Sequence, residues 1–236
     1  MWMQSSIAFP NKKEIRRTNM DKKELMPLCL IALMLVLAVS VADRMPERII
    51  IHWNAYGEPD GYGGRFAGLW LLPIITLTVW ALLYVIPRIE VLDFRKNLQD
   101  FEKHYFGLRV AFIAFMTALY AVTVAINLGH ALDMNTFITA ALAGLFYYIG
   151  YIMQYVKRNF WVGFRTPWAL ASDMVWNKTH ALGSILFRAA AVIILAGLMR
   201  PAYGIWITLT AIIGATVFIV IYSYWVYHRE VDVNRR

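Results

Sequence analysis

Six long apolar stretches constrain this chain more than anything else in it: roughly Leu25–Ala42, Leu69–Ile86, Gly107–Leu128, Thr136–Val156, Ser184–Met199 and Ile205–Tyr227. A bilayer core about 30 Å thick is crossed by about 20 mostly apolar residues in helical form. The first two stretches carry no charge, and all six run predominantly apolar instead of alternating, which selects helices over the strands of a membrane barrel. With 60% apolar and only 16% charged residues, the composition agrees. The expected fold class is therefore an all-α integral membrane protein of six transmembrane helices, with the lipid bilayer as its first partner.

Lys and Arg set the expected orientation. An even number of spans leaves both termini on one side. The segments on that side, namely residues 1–24, 88–109, 157–188 and 228–236, hold 19 of the 23 basic residues. The remaining four, Arg44, Arg48, Arg65 and Arg200, fall in the opposite loops. Because basic residues resist translocation, both termini are expected in the cytoplasm and the 43–68 loop outside. The net charge of +8 is then the basic rim expected beside anionic leaflets, and no signature of direct nucleic-acid binding accompanies it.

The chain divides into a basic tail over residues 1–24, a two-helix region over 25–106 with its outward loop, and a four-helix region over 107–236 with an inward loop at 157–183. Met20-Asp-Lys-Lys-Glu supplies a sufficient basic flank by itself, so Met20 is a candidate translation start. Ser40-Val-Ala42 has the small residues of a signal-peptide cleavage site, but the run before it exceeds the usual signal core of about 7–15 residues and spans a bilayer as it stands. The single cysteine, Cys29, excludes an intramolecular disulfide, and no spacing calls for a metal or a cofactor.

The inward loop is not a plain connector. It holds Trp161, Trp168 and Trp176, three of nine tryptophans, together with Gly163, Arg165, Thr166, Pro167 and His180. Interfacial anchoring explains one or two tryptophans; three interleaved with Gly163 and Pro167 read as a compact cap on the bundle. Ser172 is a candidate N-cap for a helix that places Trp176 and His180 at i, i+4. Arg165 is suited to a phosphate or carboxylate, with a lipid headgroup as the plainer partner. For His180 the expectation is a buried, hydrogen-bonded histidine and not a catalytic one, since no nucleophile elbow, metal pair or phosphate loop accompanies it.

The outward loop contains Pro46, the β-branched run Ile49–Ile51, then His52, Trp53 and Asn54, and then Gly57, Asp60 and Gly61 within a turn-rich stretch. A short extended segment followed by turns, folded down at the membrane surface, is the expectation. Trp53, Tyr56 and Tyr62 suit the headgroup layer. His52, Glu58 and Asp60 match no usual zinc or calcium spacing.

Two motifs carry a resemblance. Met45-Pro-Glu-Arg-Ile-Ile-Ile-His-Trp-Asn-Ala-Tyr-Gly-Glu-Pro-Asp-Gly-Tyr-Gly-Gly64 resembles the signature of a prokaryotic membrane domain of unknown function. Asn159-Phe-Trp-Val-Gly-Phe-Arg-Thr-Pro-Trp-Ala-Leu170 with Trp176-Asn-Lys-Thr-His180 is similar to the C-terminal signature of the SdpI-like immunity proteins against sporulation-delaying peptide toxin. Those proteins join both regions in one six-helix chain. Ala169 departs from the pattern, which has Thr there. The resemblance implies a non-enzymatic bacterial or archaeal membrane protein that protects against a secreted peptide toxin outside and relays its presence to a cytosolic repressor inside. The outward loop would be the sensor and the inward loop the relay. The rival expectation is an accessory subunit of a membrane transporter or membrane enzyme.

A transporter of charged solutes needs polar partners near the midplane. Arg109 and Arg188 lie near the inner ends of their helices, where they are expected to snorkel, and the spans otherwise offer only threonines that backbone carbonyls can satisfy. Ala140-x-x-x-Gly144 and Ala211-x-x-x-Ala215 are expected to serve helix packing but specify no oligomer.

Overall fold

A computed structural model describes residues 22–88 and 101–234, with side chains through Glu230. The tail over 1–21 and the charged stretch 89–100, on which the expected translation start and part of the charge asymmetry rest, lie outside the described residues. In chain order the helices are α1 (Leu25–Val41), α2 (Leu72–Val85), α3 (Glu102–Asn127), α4 (Met134–Met153), a short α5 (Pro167–Ala171), α6 (Asp173–Ala196) and α7 (Gly204–Asn234). Among the described residues six helices are long and apolar enough to cross a membrane. Many of their large apolar side chains, such as Val36, Leu82, Val192 and Ile221, face outward, as lipid-facing surfaces require.

The all-α expectation needs one correction. The 43–68 loop forms a two-stranded antiparallel hairpin, β1 (Ile49–Trp53) and β2 (Pro59–Gly63). The Ile49–Ile51 run supplies β propensity and the following turn residues reverse the chain, so the extended segment foreseen there acquires a partner strand. A two-stranded ribbon is marginal alone. This one is held by the bundle: Met45 and Ile49 are buried with Met34, Ala38, Leu69, Tyr120 and Val124.

Helix ends follow local chemistry. Asp133 caps α4 by accepting from the Thr136 amide, and Ser172 caps α6 by accepting from the Val175 amide at 3.3 Å, as its position in the sequence suggests. The sixth span reaches beyond Tyr227, and the fifth begins eleven residues before Ser184, at Asp173. Thr76, Thr78, Thr117 and Thr208 each donate to the carbonyl four residues back, which keeps their hydroxyls satisfied in an apolar setting. The helices pack as α1 and α2 on α3, α3 on α4, α4 on α6 and α6 on α7. Ala140 and Gly144 face away from the bundle, contrary to the packing role expected of them, while Ala215 joins the cluster of Met153, Phe187 and Ile219.

A second correction concerns Arg109. It does not snorkel: it is 5% exposed and its Nη2 donates to Glu24 Oε1 at 2.6 Å, with Glu24 fully buried. Trp80 Nε1 donates to the other carboxylate oxygen at 3.3 Å. The guanidinium lies 5.5–6.0 Å from the ring centroids of Tyr84, Tyr105 and Phe106. Arg109 points inward because α3 is flanked by α1 and α2, and a carboxylate one residue before α1 pairs with it there.

Candidate functional site

The segment between α4 and α6 is a folded cap. Asn159, 4% exposed, organises its first turn. Its Oδ1 accepts from the Trp161 and Val162 amides at 2.7 Å each, and its Nδ2 donates to the Lys157 and Val162 carbonyls. Four bonds from one amide side chain fix a loop that has no ladder of its own. Thr166 then caps α5 through the Ala169 amide, with Pro167 at its first position, where no amide is needed.

His180 closes the cap. Its Nδ1 donates to the Trp176 carbonyl at 2.9 Å, and its Nε2 accepts from the Phe164 amide at 3.0 Å. Only the neutral Nδ1–H tautomer makes both bonds. The ring stacks on Trp176 at 4.1 Å. Trp176, fully buried, donates from Nε1 to the Val156 carbonyl at 2.7 Å. Gly163 has φ +111°, and a Cβ there would lie 2.3 Å from His180 Nε2, so both backbone and space require glycine. The expectation of a buried structural histidine thus describes its place in the fold.

The three tryptophans have different places. Trp176 is core. Trp168 is half-buried, donates from Nε1 to Ser223 Oγ at 2.6 Å and meets Tyr224 edge-on, tying α5 to α7. Trp161 is half-buried against the cluster of Phe101, Tyr105, Ile152, Val156, Ala169, Val175 and Val226. Arg165 is exposed, and its Nη1 donates to the Phe160 carbonyl at 2.8 Å. The cap's outer face therefore presents Arg165, the exposed Phe160 ring and Pro167. Arg158 pairs with Asp173 at 2.7 Å, an exposed bridge that adds little stability.

At the opposite end of the bundle, Asn54 organises the hairpin turn. Its Oδ1 accepts from the Tyr56 and Glu58 amides, and its Nδ2 donates to the Glu58 carboxylate. His52 Nδ1 contacts Asp60 Oδ1 at 2.6 Å across the strands on the exposed face. Gly61 lies so close to His52 that a Cβ would come within 2.6 Å of the histidine Cβ. Trp53 is half-buried opposite Pro59, and Pro46 is exposed just before β1.

Two asparagines absent from the sequence-based expectation anchor this hairpin. Asn127, at the end of α3, accepts from the Ile50 amide at 2.8 Å and donates to the Ile50 carbonyl at 3.0 Å, like a neighbouring strand. Asn135, 2% exposed, donates to the carbonyls of Ala55 and Pro201. Gly57, at φ +84°, packs on Asn135, and a Cβ there would come 3.0 Å from the Asn135 Cγ. The hairpin rests on helix ends and not on lipid alone. The available sequence signal is an amide side chain ending an apolar run, which needs a partner when buried. Glu24, immediately before the first apolar run, carries the same kind of signal.

Both ends meet on α3. Asn127 at one end holds β1, while Phe101 and Tyr105 at the other share a core with Trp176 and, at its margin, Trp161 and Trp168.

Comparison with known proteins bears on both regions. Residues 29–77 match a domain of unknown function (DUF1648), and residues 155–224 match the SdpI/YfhL protein family. The chain is 22% identical over 219 residues, covering 91% of its length and 100% of the relative, to the "Immunity protein SdpI" of Bacillus subtilis (strain 168). No solved structure gives a match.

Proposed function

We propose that this SdpI-like membrane protein is a non-enzymatic immunity protein that protects its cell from a secreted, membrane-active peptide toxin. The observation that carries this reading is the similarity to an immunity protein along that relative's entire length, which includes both the hairpin and the cap. A secreted peptide meets the outer face first. The charge asymmetry supports a hairpin on that face, with Pro46, His52, Trp53, Asn54, Gly57, Asp60 and Gly61 shaping the sensing surface in this reading. The cap, with Trp161, Gly163, Arg165, Thr166, Pro167, Trp168, Trp176 and His180, then faces the cytoplasm and presents Arg165 to a cytosolic repressor.

The contacts of α3 with both ends support a relay. A packed helix pinned to the hairpin by Asn127 and to the cap by Phe101 and Tyr105 transmits displacement as a rigid element. Expression of the chain in a toxin-sensitive bacterial host tests the reading. Survival against a panel of secreted membrane-active peptides is expected to rise. Equal killing with and without the chain, with insertion verified, overturns it.

A further inference from the structure

The two edges of the hairpin differ. On the β1 edge, the Ile50 amide and carbonyl both turn away from β2 and are taken by the Asn127 side chain. Opposite Ile50 stands Tyr62. In an antiparallel ladder, two residues that face each other either exchange both backbone bonds or turn both groups away. Because Ile50 turns both away, the Tyr62 amide and carbonyl also point outward, off the far edge of β2. Neither has a hydrogen-bond partner among the described residues. Sheets commonly blunt such an edge with lysine, proline or a covering segment. Here Pro59 blunts only the first position of β2, and Asp60 is turned to His52. Around the exposed Tyr62, Gly61, Gly63 and Gly64 put no side chain in the way of a neighbouring backbone.

The lie of the hairpin selects the strand that fits this edge. From base to tip it crosses the ends of three helices. Ile50 bonds to Asn127 at the end of α3, the Ala55 carbonyl to Asn135 at the start of α4, and the Tyr56 ring lies 6.5 Å from that of Trp206 at the start of α7. Ile49 is buried on the bundle side of the sheet, while the His52–Asp60 contact is exposed on the other. The sheet therefore lies across the helix axes. The two-fold axis that relates two antiparallel strands stands perpendicular to their sheet, so here it runs along the helices. That is the symmetry available to two copies inserted the same way in one membrane, and one residue presenting a donor and an acceptor beside such an axis is complementary to itself. We propose that the β2 edge is a homodimer interface, in which Tyr62 of each copy exchanges both backbone bonds with Tyr62 of the other. The result is a four-stranded sheet in the order β1-β2-β2-β1, sturdier than either ribbon alone and with the two Tyr62 rings as a cross-strand pair. Asn127 already closes both of its outer edges, so assembly stops at two copies. The dimer requires neither a toxin nor a cytosolic partner.

Native mass spectrometry of the full chain, released from lipid nanodiscs large enough for two copies, tests this. A dimer is expected for the wild-type chain and for Tyr62→Val, which keeps the backbone groups and the β propensity. Tyr62→Pro removes the outward amide hydrogen without touching a bond to β1, a change that edge strands accept. It is expected to leave the chain monomeric, with exchange at the Ile50 amide as slow as in the wild type. A monomeric wild-type chain overturns the proposal and leaves the edge to a strand of another polypeptide. A dimer that survives Tyr62→Pro overturns it in favour of contacts elsewhere. Should Tyr62→Pro loosen the hairpin, cysteine cross-linking in native membranes decides, because residues that exchange both bonds have Cα atoms about 5.5 Å apart, within reach of a disulfide. Cys29→Ser/Tyr62→Cys is expected to give covalent dimers on mild oxidation, and Cys29→Ser/Ala131→Cys, on the turn between α3 and α4, to give none. Equal cross-linking at the two positions, or none in the Tyr62→Cys chain, overturns the proposal.

Discussion

The carboxylate of Glu24 and the guanidinium of Arg109 meet at 2.6 Å although 85 residues separate them in the chain. Their side chains are 0% and 6% exposed. This pair joins the start of α1 to the N-terminal half of α3, and the Trp80 indole closes it from α2. Desolvating two ions costs several kcal/mol each, so the pair holds only while both partners are present. Arg109→Leu is therefore expected to destabilise the protein by about 3–5 kcal/mol, whereas Glu24→Leu/Arg109→Leu recovers much of the loss. Thermal melting in detergent reads both. A double variant no more stable than the single one would show that packing, not the unpaired charge, sets the cost.

The cap distinguishes a docking residue from a packing residue. Trp168→Ala removes the bond to Ser223 and a half-buried ring between α5 and α7, and about 3 kcal/mol of stability is expected to go with it. Arg165→Ala removes one exposed side chain and a bond to the Phe160 carbonyl, so melting should barely move while partner capture and protection are lost. Protein level, melting and protection are measured on both. Full protection by Arg165→Ala would remove this residue from the relay.

His180→Phe keeps a ring beside Trp176 but leaves the Phe164 amide without its acceptor. A loss of about 1–3 kcal/mol is expected from the stranded donor. Hydrogen exchange at the Phe164 amide should accelerate well before the α4 core does; simultaneous acceleration throughout would mean that the cap does not open on its own.

Asn127→Leu removes both bonds to Ile50 while preserving helix propensity at the end of α3. Faster exchange at the Ile50 amide is expected, with the Val162 amide unchanged. If the relay reading holds, protection falls although the cap stays intact. Retained protection with a loosened hairpin would sever the hairpin from function.

The orientation has its own test. Reporter fusions after Tyr62 and Gly204 are expected to read as extracytoplasmic, and those after Lys96, Trp168 and Arg236 as cytoplasmic. A cytoplasmic signal at Tyr62 would invert the assignment of both loops.

Six spans, the α6 cap at Ser172 and the two family motifs were legible in the sequence, because each depends on residues close together in the chain. Run length fixes a span, a hydroxyl next to an apolar-periodic segment fixes a cap, and neither needs a distant partner. The fate of each polar side chain did require the tertiary structure. Arg109 near a helix end reads equally as a snorkelling or a paired residue, and only the placement of α1 beside α3 brought Glu24 within reach. The β-branched run at 49–51 signalled an extended segment, but its pairing needed Asn127 and the buried seat for Ile49. The three tryptophans look alike in sequence, yet Trp176 became core, Trp168 a tie to α7 and Trp161 a margin. Hydrogen-bond partners far apart in the chain decide that division, since buried donors and acceptors take whatever partner the packed helices bring to them.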